Sequence, residues 1–280
     1  MSTITVLHPG QMGAAVAAQA VTAGHRVLWL PKGRSESSRR RADDAGLLPV
    51  DDLRTALGQS EIVISICPPA AAEDVAADVA AVPTFAGIFV DANAISPSRA
   101  MNIARTISHA GATFLDGSII GPPPAGSTTA RLYLAGDPAA ARRVAENFDN
   151  TLVTARCLDR EAGAASALKL AFASYQKAVR TLVGVAHALA DLHGVTAELI
   201  DEGNTMAGPF LADPDYLRSV APRAWRWVPE MEDVAQTLTD AGLPADLAHA
   251  AASTLTRWTS LKDRGDLTVE DVLDALRSTD

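Results

Sequence analysis

Short apolar runs alternate with Ala-rich amphipathic stretches through the first half of the chain. Five apolar or β-branched runs predict buried strands: Ile4–Leu7, Arg26–Leu30, Glu61–Cys67, Gly87–Asp91 and Thr113–Asp116. The stretches between them predict helices: Gly13–Ala23, Ser35–Ala45, Ala70–Val82 and Ser96–Ala110. Further on, the pattern predicts two edge strands and a helix between them: Arg131–Ala135, Leu152–Cys157 and Pro138–Phe148. This alternation indicates a doubly wound, mostly parallel α/β sheet with helices on both faces.

The pattern changes at Arg160. Residues Arg160–His193 contain no Pro and only two Gly, which predicts one helix of roughly 45–50 Å, too long for one face of a small domain. The remaining segments also predict helices: Thr196–Asn204, Asp215–Ser219, Pro229–Ala241, Pro244–Arg264 and Thr268–Arg277. We therefore expect an α/β domain at 1–159 and an all-α domain at 160–280, joined by a long interdomain helix.

The turn after the first strand has the composition of a dinucleotide-binding site. Ile4–Leu7 leads through His8 and Pro9 into Gly10-Gln11-Met12-Gly13 and an Ala-rich helix, the context of a Rossmann-type fingerprint. Gly10 would let a pyrophosphate approach the backbone, and Gly13 would let the helix pack closely. The first glycine of G-x-G-x-x-G is replaced by His8, so an ordinary strand–helix turn is the alternative.

The second predicted strand favours NADP over NAD. An NAD site usually ends this strand with an acidic residue that binds the ribose hydroxyls. Here the strand is followed by Lys32-Gly33-Arg34-Ser35, with no acid, and Arg39–Arg41 add positive charge. Lys32, Arg34 and the Ser35 hydroxyl would bind a 2′-phosphate, which a carboxylate would repel. The alternative is a solvated basic helix face.

Several segments resemble one family. Gly10–Gly13 resembles its G-x-M-G turn, and Asp91–Pro97 resembles its D-x-S/T-x-x-x-P segment beside the nicotinamide ribose, with Asn93 replacing the hydroxyl residue. Asp116–Pro122 stands where the family has its D-A-P-V-S-G-G substrate loop, and Lys169 where it has its catalytic lysine. Over nearly its whole length the chain is similar to the β-hydroxyacid dehydrogenase superfamily, which includes 3-hydroxyisobutyrate and 6-phosphogluconate dehydrogenases.

Two departures from the family pattern concern the substrate. Ile120-Gly121-Pro122 replaces Ser-Gly-Gly, which removes a hydroxyl and a backbone amide that would hold a carboxylate. Ala173 stands where the family has an Asn, four residues after its lysine. The pocket is therefore expected to be more apolar, and the substrate is not copied from 3-hydroxyisobutyrate dehydrogenase. The chain resembles a less characterised branch with D-G-x-I-I-G-x-P and an Ala-Trp-Arg-Trp segment.

The resemblance implies that Lys169 is the proton donor and acceptor of a hydride-transfer reaction. Its apolar neighbours place it near a buried stripe, although a surface lysine is the alternative, and Lys177 is a weaker candidate. The expected cofactor-binding residues are Gly10, Gln11, Met12, Gly13, Lys32, Gly33, Arg34, Ser35, Cys67, Pro68, Asn93 and Ser96. The expected substrate-binding residues are Ser118, Ile120, Gly121, Pro122, Ala173 and Tyr175. The long helix, which interlocks with a second subunit in the family, predicts a homodimer.

Composition narrows the class of protein. The net charge of −9 argues against nucleic acid as a partner. Cys67 and Cys157 form no disulfide framework, and six scattered histidines show no metal-ligand spacing. No apolar stretch reaches the ~20 residues of a membrane span, and the N-terminus does not resemble a signal peptide. We expect a cytoplasmic protein, with Trp225 and Trp227 at an interface or lining a pocket.

Three functions fit these observations. The first is an NADPH-dependent carbonyl reductase or alcohol dehydrogenase that uses Lys169. The second is an imine reductase of the same architecture, although relatives with that chemistry tend to carry Asp or Tyr at the lysine position. The third is a non-catalytic NADPH-binding sensor, which the retained lysine also disfavours.

Overall fold

The computed structural model describes residues 1–192, 194–205, 213–240, 242 and 245–277. The chain divides into two compact units, Met1–Lys169 and Leu170–Asp280. Unit 1 contains a single sheet of eight strands. The strands are β1 Thr3–Leu7, β2 Arg26–Trp29, β3 Leu48–Pro49, β4 Ile62–Ser65, β5 Ile88–Asp91, β6 Thr113–Ile120, β7 Ala130–Gly136 and β8 Val153–Cys157.

The sheet is doubly wound, in the order β3-β2-β1-β4-β5-β6-β7-β8. Every neighbouring pair is parallel except β6 and β7, which are antiparallel. The chain moves outward from β1 to β3, returns to β4 beside β1, and then continues in the opposite direction. The carboxyl ends of β1 and β4 therefore meet where the winding reverses, which is where doubly wound sheets bind ligands.

Six helices accompany the sheet in unit 1: α1 Gln11–Thr22, α2 Glu36–Asp44, α3 Leu53–Gln59, α4 Ala72–Ala80, α5 Pro97–His109 and α6 Pro138–Glu146. They cover both faces, because the strands are apolar on both sides. One core includes Ile4, Val27 and Leu132, and the other includes Val63, Phe89 and Ile103. The predicted Rossmann-type sheet is confirmed.

Unit 2 is helical throughout the part that the structure describes. Helix α7, Ala164–Leu192, contains the boundary between the units, and it is followed by α8 Thr196–Thr205, α9 Leu217–Val220, α10 Ala224–Asp240, α11 Asp246–Thr256 and α12 Val269–Arg277. Trp258 is fully buried in the core of unit 2, and its indole Nε1 donates to the Val272 carbonyl at 2.8 Å. A Cβ on Gly184 of α7 would lie 3.0 Å from this indole, so a small residue is needed there.

Some element bounds differ from those predicted. Strand β3 and helix α3 were not predicted; β3 consists of only two exposed residues, one of them a proline, at the edge of the sheet. The predicted long helix starts at Ala164 rather than Arg160, since Asp159 and Gly163 have positive φ. His193, Ala241 and Pro244, where predicted helices end or begin, lie outside the described residues. No helix among the described residues is both long and apolar enough to cross a bilayer.

Candidate functional site

The β1–α1 turn has the geometry that a dinucleotide fingerprint requires. The Gly10 amide donates to the His8 carbonyl at 2.7 Å, which closes the turn. A Cβ on Gly13 would lie 2.7 Å from the same oxygen, so only glycine lets α1 start this close to the turn. A Cβ on Gly10 would meet nothing within 4 Å, so this side of the turn is open.

The amino end of α1 is suited to bind an anion. Its N-cap is Gly10, which has no side chain to cap the helix, and its first turn contains no acidic residue. Because the first amides of a helix have no partner inside the helix, those of Gln11, Met12 and Gly13 are left for a ligand. Together with the helix dipole they favour a phosphate group.

The basic segment between β2 and α2 lies at the same edge of the sheet. Lys32 and Gly33 are exposed, and Ser35 is the N-cap of α2, its hydroxyl accepting from the Ser38 amide at 3.2 Å. Arg34 is half-buried, and its Nε is buried without a partner among the described residues. Burial lowers the pKa of Arg34, and the charge of Arg34 in turn acts on His8. Because β2 pairs with β1, the segment that carries Arg34 emerges next to the β1–α1 turn.

Asn93 connects the ends of β4 and β5 through a buried network. Its Oδ1 accepts from the Cys67 amide at 2.6 Å, and its Nδ2 donates to Ser65 Oγ at 3.1 Å and Asp91 Oδ2 at 2.9 Å. Both ends of the Asn93 amide are thus engaged within the protein. Its predicted contact with a cofactor stays a prediction, and the structure shows a residue that orients the loop carrying Cys67 and Pro68.

Two neighbouring residues of the predicted cofactor site differ in exposure. Pro68 is exposed and precedes a short 3-10 turn, whereas the Cys67 thiol is half-buried, and burial raises its pKa to about 11. Ser96 is buried and caps α5, its hydroxyl accepting from the Arg99 amide at 3.3 Å. These side chains shape the carboxyl edge of the sheet around the turn.

Asp116 has a role that the sequence did not indicate. Its Oδ2 accepts from the amides of Gly163, Ala165 and Ser166 at 2.8, 2.8 and 3.0 Å, and its Oδ1 accepts from the Ser166 hydroxyl at 2.6 Å. The carboxylate therefore caps α7 from β6. Burial raises the pKa of Asp116, while these hydrogen bonds oppose the rise. The residue immediately before Ala164 is Gly163, which has no side chain to cap α7, and this was the one sign in the sequence that the cap comes from elsewhere.

Lys169 lies one turn into α7 from this cap. Its Nζ donates to the Ile119 carbonyl of β6 at 2.8 Å, and no carboxylate pairs with it in the part of the chain that the structure describes. Burial lowers the pKa of the Lys169 ammonium, since desolvation disfavours the charged form. The ammonium is thus held at a defined position and made a better proton donor.

The predicted substrate loop is largely a strand. Ser118 and Ile120 lie in β6 and are buried, and the Ser118 hydroxyl has no partner among the described residues. Gly121 has a φ of 127°, and a Cβ there would lie 3.0 Å from the Thr129 carbonyl, so the turn before Pro122 requires glycine. The segment is therefore more rigid than a loop would be.

The predicted residues farther along α7 fall in unit 2. Ala173 is buried, and Tyr175 is 69% exposed. Lys177, the weaker catalytic candidate, is buried and forms an ion pair with Glu230, and its Nζ lies 5.6 Å from the centre of the Trp227 ring. This pairing gives Lys177 a structural role inside unit 2.

The two tryptophans of the Ala-Trp-Arg-Trp segment stack against cationic side chains. Trp227 also lies 5.9 Å from the Arg180 guanidinium, and Trp225 lies 3.8 Å from Lys262 Nζ. Such contacts stabilise packing within the helical unit. No group of three or more His, Cys, Asp or Glu side chains among the described residues is arranged to bind a metal ion.

The sequence of unit 1 matches a known protein family. A family model described as the NAD binding domain of 6-phosphogluconate dehydrogenase matches residues 3–159, more than half of the chain. The chain belongs to this family. The NAD(P)-binding domain of the chain contains the β1–α1 turn and the sheet edge described above. The predicted resemblance to 6-phosphogluconate and 3-hydroxyisobutyrate dehydrogenases is confirmed. Residues 190–258 match a domain of unknown function, DUF1932.

Solved structures share the fold over nearly the whole chain. A conserved hypothetical protein from Sinorhizobium meliloti 1021 is 26% identical, with a TM-score of 0.72 over 99% of this chain and 96% of that one. The 3-hydroxyisobutyrate dehydrogenase of Mycobacterium tuberculosis, solved with L-serine, is 22% identical, with a TM-score of 0.79 over 99% and 100%.

A third similar structure has another chemistry. The reductive aminase of Aspergillus terreus, in complex with NADPH and ethyl levulinate, is 20% identical, with a TM-score of 0.63 over 98% of this chain and 99% of that one. Comparison with curated protein sequences gives no match. These likenesses confirm the predicted architecture, a Rossmann-type domain followed by an all-helical domain, and leave the substrate open.

Proposed function

We propose that the protein is an NADPH-dependent oxidoreductase that interconverts a small carbonyl compound and its alcohol, with Lys169 as the proton donor and acceptor. The observation that carries this proposal is the Lys169 ammonium. It is half-buried, which lowers its pKa, has no carboxylate partner among the described residues, and is fixed to the Ile119 carbonyl at 2.8 Å. A structural lysine in such surroundings would be expected to have a counter-charge, whereas a proton donor benefits from its absence.

The residues of unit 1 fit a dinucleotide. The open side of Gly10 and the free amides of Gln11, Met12 and Gly13 would hold the pyrophosphate. The unpartnered Nε of Arg34, with the exposed Lys32 and Ser35 beside it, would hold a 2′-phosphate. No acidic residue lies between Trp29 and Ser35 to bind an unmodified ribose, which favours NADPH over NADH.

In the proposed reaction the cofactor supplies the hydride and Lys169 supplies the proton. Bound NADPH supplies the hydride that reduces the substrate carbon. The oxygen of the former carbonyl then gains a proton, which Lys169 provides, and the neutral amine can take a proton in the opposite direction. Because burial lowers the pKa of Lys169, this transfer needs less driving force than it would from a solvated lysine.

The same site favours a substrate with little negative charge. Ile120 is buried where a hydroxyl would hold a carboxylate in the family. The Ser118 hydroxyl, which has no protein partner among the described residues, is the remaining polar group of β6 that we assign to the substrate. We therefore expect small aldehydes, ketones or their alcohols to react better than hydroxy acids.

We also propose that the enzyme acts as a cytoplasmic homodimer. Leu168, Phe172 and Tyr175 occupy one stripe of α7 at helical spacing and are 37%, 39% and 69% exposed. A second copy would cover this stripe, as expected for the long helix. Cys67 and Cys157 are free thiols, in keeping with a reducing compartment.

A substrate panel tests the proposal. Purified protein is assayed with aldehydes, ketones, hydroxy acids and cyclic imines, each with NADPH and with NADH, while oxidation of the cofactor is followed. We expect turnover of a carbonyl compound or alcohol with NADPH. Turnover of cyclic imines alone would identify an imine reductase, and cofactor binding without turnover of any substrate would indicate a sensor; either result would overturn the proposal.

A further inference from the structure

His8 occupies a backbone position that disfavours side chains. Its φ is 66°, in the left-handed region where glycine is the usual residue and where few other residues are found. The dinucleotide fingerprint has glycine here. The imidazole makes no compensating bond, because its Nδ1 is buried and has no hydrogen-bond partner among the described residues. A strained residue with an unused buried polar atom points to a ligand.

Arg34 lies on the segment that follows the neighbouring strand. β1 and β2 are parallel, with Thr5 opposite Leu28, so the residues that follow the two strands emerge side by side at one edge of the sheet. Arg34 comes from the segment after β2, and its Nε is likewise buried without a partner among the described residues. Its positive charge is close enough to His8 to disfavour protonation of the imidazole.

We propose that His8 and Arg34 form one anion-binding site that takes the 2′-phosphate of NADP, with His8 as a second residue that determines cofactor specificity. This inference rests on the proposed use of NADPH. Two unpartnered nitrogen donors from adjacent loops can each bind one phosphate oxygen, and such charge-assisted hydrogen bonds are among the strongest in proteins.

The position of His8 favours the 2′-phosphate over the pyrophosphate. The pyrophosphate is expected at the amides of α1, which follow Gly10, whereas His8 precedes Gly10 and directly follows β1, the strand that pairs with β2. The end of β2 is where doubly wound dinucleotide domains contact the 2′ position of the ribose. The cationic partner of His8 also comes from this side.

The site is expected to take up a proton when it is filled. Burial, followed by the charge of Arg34, lowers the pKa of His8 to about 4, so the imidazole is neutral in the free protein near neutral pH. The charged group that acts on His8 here is Arg34, from the β2–α2 segment; the Cys67 thiol, from the β4–α4 segment, is uncharged near neutral pH because burial raises its pKa to about 11. A phosphate between His8 and Arg34 would offset the charge of Arg34 and raise the pKa of the imidazole.

Titration calorimetry with NADP⁺ and NAD⁺ tests the inference in the full-length protein. We expect the unmodified protein to bind NADP⁺ more tightly by about tenfold or more, and Arg34→Ala to remove most of this preference. His8→Gly restores the usual turn residue, so we expect it to fold; it should weaken NADP⁺ binding by about tenfold and change NAD⁺ binding by less than about twofold. His8→Asn, which tolerates positive φ but cannot be protonated, should take up fewer protons with NADP⁺ than the unmodified protein.

The outcomes separate this inference from the proposed function. Equal binding of NADP⁺ and NAD⁺ by the unmodified protein would show that the proposed NADPH preference is wrong. If the preference is present and Arg34→Ala removes it while His8→Gly keeps it, the role of His8 is wrong and the proposed function stands. A loss of NADP⁺ and NAD⁺ binding to the same extent in His8→Gly, or unchanged proton uptake in His8→Asn, would also contradict the inference.

Discussion

Asp91 should make the protein less stable as the pH rises, and Asp91→Asn should remove this dependence. The Asp91 carboxyl is 1% exposed at the end of β5, in register with Asp116 on the neighbouring strand. Burial is the main cause that raises its pKa from the ordinary 3.8 to about 7, and the charge of Asp116 adds to the rise. The folded protein therefore keeps Asp91 protonated at pH values where the unfolded chain has lost that proton.

The sign and size of the effect follow from this difference. Between about pH 4 and pH 7 the folded state binds the extra proton, so the free energy of unfolding falls with rising pH and levels off above about 7. A difference of one pKa unit between the folded and unfolded states corresponds to about 1.4 kcal/mol. The rise from 3.8 to about 7 therefore lowers the free energy of unfolding by about 4 kcal/mol in total. Of this, about 3 kcal/mol is lost between pH 5 and pH 8.

Urea unfolding measures this pH dependence of the free energy of unfolding. The unmodified protein and Asp91→Asn are compared at several pH values from about 5 to about 8. The unfolding free energy of the variant should rise relative to that of the unmodified protein by about 3 kcal/mol across the range. Asp52→Asn is the control: hydrogen bonds from Thr55 lower the pKa of the exposed Asp52, so it is ionised throughout this range and its difference should stay constant. A constant or falling difference for Asp91→Asn would show that the folded protein does not keep Asp91 protonated in this range.

Three further predictions concern the site and the assembly. Arg34→Ala should abolish a preference for NADPH over NADH of about tenfold or more, measured by cofactor titration, and a preserved preference would exclude Arg34 as the 2′-phosphate ligand. Asp116→Ala leaves the Gly163 amide and two amides of α7 without their acceptor, so urea unfolding should show a loss of about 3 kcal/mol, and an unchanged midpoint would contradict the capping role. Light scattering at micromolar concentration should give twice the 29.2 kDa chain mass and Phe172→Asp should shift it toward monomer; a monomer for the unmodified protein would exclude the dimer.

The sequence allowed the sheet and its ligand-binding edge to be predicted, because both depend on local patterns. Apolar runs of strand length and the glycines of the β1–α1 turn are visible in consecutive residues. The basic segment around Arg34 was visible for the same reason. Strand β3 was missed because it is held by pairing with β2 at the edge of the sheet, and its Leu48–Pro49 pair contains no strand-like pattern.

The contacts that define the candidate site are long-range and could not be predicted in this way. Asp116 was assigned to a substrate loop, whereas it caps a helix that begins some 50 residues later. Lys177 and Glu230 form a buried pair that no spacing on α7 indicates. The sequence also did not indicate that the Asn93 amide bonds to Cys67, Ser65 and Asp91, and its predicted contact with a cofactor stays a prediction. Such partners are fixed by the way strands and helices come together.

The turnover of Lys169→Met on an identified substrate shows whether Lys169 donates the proton in an NADPH-dependent reduction. The substitution removes the ammonium and keeps the length of the side chain, so kcat should fall by about 10²–10⁴. NADPH affinity should stay within about twofold, since the glycine turn and Arg34 are unchanged. Lys169→Arg is the matched control: it keeps the positive charge but is a poor proton donor near neutral pH, so its kcat should fall as well. Near-normal turnover of Lys169→Met on that substrate would show that Lys169 is not the proton donor.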